Sequence, residues 1–137
     1  MSLLQEFLVQ HPIDNTVVEV IVSDRFKDKD GNILKFKIRP VTGPEYAEYQ
    51  RASTTINRHR KIDFNSKKFN ELMIINHTID PSFKDADSIR KLGCTTPEDF
   101  LYKCLLAGEI QELSNQISKI SGFDTDMEEL REEAKNS

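Results

Sequence analysis

The stretch FKDKDGNILKFKIR, residues 26–39, decides the fold of the N-terminal third of this chain. Its second half alternates between apolar and basic residues, a pattern typical of a β-strand with one face in water. The apolar residues of this row are Leu34, Phe36 and Ile38. A run rich in β-branched residues, Val17–Val22, precedes the stretch and predicts a second strand. Because DKDGN between the two is a strong turn signal, the strands are predicted to form an antiparallel hairpin.

The length of the hairpin turn follows from the need to keep both apolar rows on one face. A two-residue loop places them on opposite faces, because a shift of one residue reverses every side chain. A three-residue loop, residues 29–31, keeps the rows together. It pairs Asp28 with Asn32, Phe26 with Leu34, and Val22 with Ile38. Such loops end in a residue with positive φ, so Asp28, Asp30 and Gly31 are predicted to form a structural turn with Gly31 in the left-handed region.

The rest of the chain predicts short helices with recognisable caps. Thr42 and Thr96 are each followed by a proline and an acidic residue, which favour a helix start. Thr125 begins a further capping box, and an acidic helix with a thin apolar stripe follows it. The spacing of apolar residues predicts other helices near residues 69–79, 88–92 and 110–120, with Gly108 as a break in the chain.

The predicted fold class is therefore α+β, with an N-terminal antiparallel β-hairpin or small sheet followed by a bundle of four to five short α-helices. Residues 1–122 are predicted to form a single domain, and residues 123–137 an acidic C-terminal helical tail. Residues 1–15 are interpreted either as a short helix or as a mobile end. The basic segment 51–68 is interpreted as a solvated loop between helices, with a contact to phosphate or nucleic acid as the alternative.

Composition limits the classes of protein that fit. The chain has 137 residues, a mass of 15.8 kDa, a net charge of −4 and a pI of about 5.4. This length suits one domain, and the acidic balance disfavours a dedicated binder of duplex DNA. No stretch approaches the roughly 18 apolar residues that span a bilayer, so no membrane contact is predicted. The N-terminus carries an acid where a signal peptide needs a base, so no export signal is predicted either.

The sequence predicts no catalytic chemistry. It contains no nucleotide-binding, hydrolase or zinc-protease motif, so we assign no catalytic, cofactor-binding or metal-binding residues and expect a protein that is not an enzyme. Its two cysteines, Cys94 and Cys104, give no disulfide framework and are predicted to be reduced thiols in a cytosolic protein.

Four phrases of the sequence, in this order, carry a family resemblance. They are SDRF (23–26) with Asp30-Gly31 after it, IRPVT (38–42) leading to Glu45-Tyr46, LLAGE (105–109) leading to Leu113, and GFD (122–124) before EAKN (133–136). Together they resemble the XkdN-like tail assembly chaperones of tailed phages and defective prophages. The likeness extends from about Val17 to Asn136.

The resemblance implies a noncatalytic role in the cytoplasm of the bacterial host. Such chaperones bind the coiled-coil-rich tape measure protein, prevent its aggregation, and are absent from the mature virion. The resemblance also implies self-association and, as a further partner, the tail tube protein. The residues predicted to bind a partner are Leu105, Gly108, Glu109, Leu113, Met127 and Leu130. The alternative is that the segment 105–113 is part of the core.

Three further hypotheses accompany this interpretation. The resemblance suggests a longer product made by a −1 ribosomal frameshift, because Ala134-Lys135-Asn136 can be encoded with the slippery heptamer A AAA AAC. A nucleic-acid-associated module that uses the basic segment 51–68 is the first alternative function. A structural tail component, such as a baseplate or tube subunit, is the second.

Overall fold

A computed structural model of the chain describes residues 1–14, 16–123 and 127–136, with the side chains of 127–129 excepted. The predicted α+β class is confirmed, although a helix precedes the first strand. The elements are α1 (Leu3–Gln10), β1 (Val18–Val20), β2 (Phe36–Ile38), α2 (Gly43–Ala52), β3 (Thr54–Ile56), β4 (Ile62–Phe64), α3 (Ser66–His77), β5 (Thr78–Asp80), α4 (Ala86–Lys91), α5 (Pro97–Cys104), α6 (Ala107–Ile120) and α7 (Met127–Lys135).

The tip of the first hairpin has the register that the alternation of residues requires. The amide of Asp28 donates to the carbonyl of Asn32 at 2.9 Å, and the amide of Leu34 donates to the carbonyl of Phe26 at 2.8 Å. The Asp28 carboxylate also accepts from two amides of the turn, which lowers its pKa. Gly31 has a φ of +85°, the left-handed conformation that glycine adopts without a steric penalty.

Further from the tip the register changes, and the predicted pairing of Val22 with Ile38 is wrong. Ile38 pairs instead with Val18. Lys27 pairs with Ile33 near the tip, and Val20 pairs with Phe36 at the base. Six residues separate these two pairs on the first arm of the hairpin and two on the second, so the first arm contains four extra residues. They include a turn at Asp24 and Arg25. Because the shift is even, the apolar rows of β1 and β2 still share one face.

A third strand completes the sheet, whose order is β1-β2-β5 with antiparallel neighbours. The apolar spacing predicted that the third helix includes Ile79, whereas α3 ends at His77 and Ile79 lies in β5. Pro81 disfavours the helical conformation at Asp80, the residue before it, so the helix cannot continue through this segment. Thr78 and Asp80 pair instead with β2.

The core lies between this sheet and the helices, with α3 in contact with α2, α5 and α6. Its most completely buried apolar side chains are Ile38, Ile74, Phe83, Leu101, Leu113 and Ile117. His77 is also fully buried, with Nε2 2.8 Å from the Tyr49 hydroxyl, and burial lowers the pKa of its imidazole. Among the residues that the structure describes, no helix is both long and apolar enough to cross a membrane.

The helix starts follow the predicted caps at two positions. Thr42 and Glu45 form a capping box, and Thr96 caps α5. The predicted break at Gly108 is wrong, because Gly108 lies in the first turn of α6. The chain breaks earlier, at Leu105 and Leu106, where ψ is 140° and 158° and the backbone is extended.

Candidate partner-binding surfaces

Four residues of the segment 105–113 were predicted to bind a partner, and the structure buries three of these four. Leu113 is fully buried, and Leu105 and Glu109 expose less than a tenth of their surface. Gly108 lies on the surface. Leu105 and Leu113 are therefore part of the core of the single chain, and Leu105 also lines an open groove at the edge of this core. Their role in binding a partner stays a prediction.

Glu109 is held by an ion pair within the chain. The guanidinium of Arg25 donates from Nε to Oε2 at 2.9 Å and from Nη2 to Oε1 at 2.7 Å. Arg25 Nη2 also donates to the carbonyl of Cys104 at 2.8 Å. The amide of Leu106 donates to Glu109 Oε1 at 2.8 Å, which satisfies a free amide at the start of α6. Glu109 therefore fastens the first hairpin to the junction of α5 and α6.

The two hydrogen bonds from the Arg25 guanidinium favour the charged form of Glu109. Hydrogen bonds from Arg25, together with those from Leu106 and Ser23, lower the pKa of the Glu109 carboxyl to about 2. The sequence gives no sign of this role of Arg25, since Arg25 and Glu109 are 84 positions apart and no local pattern connects them.

An open apolar groove of about 470 Å³ lies beside the tip of the first hairpin. The aromatic and aliphatic residues that line it are Phe26, Leu34, Phe36, Phe83, Phe100 and Leu105. Its apolar floor comes from the core, because Phe83 is fully buried, whereas Leu34 is half-exposed. A groove of this composition is suited to an apolar side chain or helix face.

The N-terminal helix α1 is the second apolar surface. None of its residues is buried, and the side chains of Leu3, Leu4, Phe7, Leu8 and Val9 are all more than half exposed. Helices this short are marginal in water unless a partner covers their apolar side. An exposed helix of this kind is typical of an interaction site.

The tail helix α7 carries two of the predicted partner-binding residues. Leu130 is exposed over 44% of its surface. Met127 begins the helix, and its side chain lies outside the described residues. The capping box predicted at Thr125 also lies outside the described residues.

The basic segment 51–68 contains a hairpin, which corrects the expected loop. Strands β3 and β4 pair in antiparallel register, with Ile56 opposite Ile62 and Thr54 opposite Phe64. The turn repeats the design of the first hairpin: Asn57 Oδ1 accepts from the amides of His59 at 2.9 Å and Lys61 at 3.1 Å. At the position that corresponds to Gly31, Arg60 has a φ of +59°.

Arg60→Gly is expected to raise the free energy of unfolding by about 0.5 kcal/mol. Glycine relieves the clash of an L side chain at positive φ, and its greater freedom in the unfolded chain offsets part of the gain. Urea denaturation of the full chain measures the effect. Gly31→Ala is the matched reverse change, expected to lower stability by about 1 kcal/mol, because its Cβ would contact nothing and only the backbone is strained. A less stable Arg60→Gly protein would contradict this expectation.

Comparisons with known proteins match almost the whole chain. The profile of the phage XkdN-like tail assembly chaperone protein family matches residues 4–135. The chain is 32% identical to the phage-like element PBSX protein XkdN of Bacillus subtilis over 97% of its own length and 93% of that protein. It is 30% identical to the uncharacterized protein YqbN of Bacillus subtilis over the same shares of the two chains.

A solved structure has the same fold. The crystal structure of the protein YqbN superimposes with a TM-score of 0.73 at 27% identity and covers 90% of this chain and 99% of that one. The resemblance found in the sequence is confirmed by these matches. The chain belongs to the phage XkdN-like tail assembly chaperone family.

Proposed function

We propose that this protein is a noncatalytic chaperone that binds the tape measure protein and prevents its aggregation while the phage tail assembles. The observation that carries the proposal is membership of the tail assembly chaperone family over residues 4–135. We place its action in the cytoplasm of the bacterial host and expect it to be absent from the mature virion. The tail tube protein is a second proposed partner.

The exposed apolar surfaces support this function physically. A tape measure rod rich in coiled coil presents apolar seams that promote aggregation until they are covered. Helix α1 and the groove beside the first hairpin offer two complementary ways to cover such a seam, by helix-to-helix contact and by helix-in-groove contact. We therefore propose Phe7 and Leu8 as tape measure contacts. Of the residues predicted from the sequence, Gly108, Met127 and Leu130 remain candidates, as does Leu105, which lines the groove.

Co-expression with the tape measure protein from the same tail gene cluster tests the proposal. The full-length protein is expected to move most of the tape measure protein into the soluble fraction. Phe7→Asp/Leu8→Asp is expected to abolish this effect while the melting temperature stays unchanged, because no residue of α1 is buried. Gln5→Asp/Gln10→Asp adds the same charge to polar positions of the same helix and is the matched control.

Failure of the full-length protein to keep the tape measure protein soluble would overturn the chaperone role. Equal loss in the control variant would show that added charge, and not the apolar face of α1, is responsible. Presence of the protein in purified phage particles would favour a structural tail component.

The basic tip of the β3–β4 hairpin is the feature that favours the alternative function, a nucleic-acid-associated module. Arg58, Arg60 and Lys61 lie in or beside one turn, with no acid between residues 57 and 61. This alternative predicts oligonucleotide binding that weakens steeply as salt rises, which the chaperone role does not require.

The proposed longer frameshifted product rests on the codons for Ala134, Lys135 and Asn136. Sequencing the gene across these codons tests the hypothesis. An intact slippery heptamer followed by an open −1 frame would support it, and codons that interrupt the heptamer would remove it.

A further inference from the structure

The β3–β4 hairpin exposes an apolar face. The side chains of Ile56, Ile62 and Phe64 are exposed over 73%, 76% and 51% of their surface. Ile56 lies opposite Ile62, and Phe64 follows Ile62 by two residues on the same strand. Because side chains of opposite residues, and of residues two apart along a strand, point to the same side, all three lie on one face of the hairpin. Two short strands alone give a hairpin little stability in water, and an exposed apolar face of this kind indicates a binding partner.

The tip of the same hairpin is strongly basic. Arg58, Arg60 and Lys61 have no acidic neighbour between residues 57 and 61, and all three are exposed. Arg60 occupies a left-handed position where the equivalent turn of this chain has glycine. The side chain of Arg60 adds to the positive charge of the tip from a position where glycine would be less strained. The hairpin therefore combines an apolar face with a positively charged end.

The tail helix α7 has the opposite character. Its nine residues include four glutamates, two basic residues and an apolar stripe at i, i+3 and i+7. The stripe consists of Met127, Leu130 and Ala134. A helix of this length is marginal in water without a docking surface. The acidic helix and the basic hairpin thus complement each other in both charge and hydrophobicity.

We propose that the tail helix α7 of one copy lies across the apolar face of the β3–β4 hairpin of a second copy. In this arrangement Leu130 packs against Ile56 and Ile62, and Glu132 and Glu133 face the basic tip. The helix of the same chain does not cover this face, because the hairpin side chains and Leu130 remain exposed in the single chain.

The interface is heterologous, since it joins two different surfaces. A chain of copies therefore keeps a free tail at one end and a free hairpin at the other, and growth continues unless the geometry closes a ring. This self-association does not depend on the proposed binding of the tape measure protein. Its test uses the purified protein alone, so that its outcome is separate from that of the co-expression experiment.

Sedimentation velocity of full-length charge-reversal variants tests the proposal. The wild-type protein is expected to grow in mass with concentration beyond a dimer and to dissociate as salt rises. Arg58→Glu/Lys61→Glu reverses the hairpin tip, and Glu132→Lys/Glu133→Lys reverses the tail. Each variant is expected to raise the dissociation constant by about tenfold or more.

Mixing the two variants gives the decisive result. The hairpin variant retains an acidic tail and the tail variant retains a basic hairpin, so their equimolar mixture is expected to form heterodimers. Lys27→Glu/Lys29→Glu makes the same charge change at the tip of the first hairpin and is the matched control, expected to associate like the wild type.

Several outcomes would overturn the proposal. A wild-type protein that stays monomeric at all concentrations would exclude it. Loss of association in both variants without recovery in the mixture would show that the tail of one copy does not dock on the hairpin of another. If the wild-type protein is monomeric and binds a single-stranded oligonucleotide, and Arg58→Glu/Lys61→Glu abolishes that binding, the basic tip would be assigned to nucleic acid instead.

Discussion

Leu113→Ala is expected to lower the free energy of unfolding by about 3 kcal/mol. Leu113 is fully buried in α6 where this helix packs on α3, so truncation removes buried apolar surface and leaves a cavity in the core. Urea denaturation of the full chain, followed by circular dichroism, measures the change. The expected effect is among the largest for any single substitution in this protein, because Leu113 is fully enclosed by other side chains, which can fill the cavity only in part.

Leu130→Ala is the matched control for this prediction. It makes the same chemical change at an exposed position of α7 and is expected to alter stability by less than about 0.5 kcal/mol. If Leu113→Ala instead left stability unchanged and abolished binding of a partner, the assignment of Leu113 to the core would be wrong.

Glu109→Gln is expected to lower the free energy of unfolding by about 2 kcal/mol at neutral pH. Glutamine keeps an oxygen for the amide of Leu106 but removes the charge that Arg25 binds through two hydrogen bonds. The predicted loss is smaller than the full pKa shift implies, because solvent reaches the Arg25 side of the pair and screens it.

The pH dependence of this effect has a defined sign. The pKa of Glu109 is about 2 in the folded protein, against 4.5 for an ordinary glutamate. The unfolded chain therefore binds more protons between these values, and the contribution of Glu109 is complete above pH 4.5. As pH falls from 4.5 to about 2, the stability of the wild type is expected to approach that of Glu109→Gln.

A double-mutant cycle with Arg25→Gln identifies the source of the effect. If the ion pair carries it, the second substitution is expected to add little to the first. Additive losses, or a difference between wild type and Glu109→Gln that does not change with pH, would show that the ion pair with Arg25 is not the source of the effect.

The amino-acid sequence by itself determined the local features of this protein. A turn of three residues has one position that requires positive φ, and a glycine at residue 31 identifies it. Helix starts at Thr42 and Thr96 depend on side chains within three residues of the cap. The α+β class and the family resemblance also follow from the order of such short patterns along the chain.

Only the tertiary structure decided which apolar residues are covered and which long-range pairs form. Periodicity predicts that Leu105 and Leu113 lie on an apolar face, but it is the same whether a core or a partner covers that face. The pairing of Arg25 with Glu109 joins residues 84 positions apart.

The register of β1 and the existence of β3–β4 were also decided by contacts between distant segments. The even shift in the first hairpin preserves its faces, so alternation alone does not distinguish the two registers. The three-residue strands β3 and β4 are too short for their alternation to stand out in a basic segment. Local conformation depends on neighbours in the sequence, which the sequence displays, whereas burial and pairing depend on neighbours in space, which only the folded chain brings together.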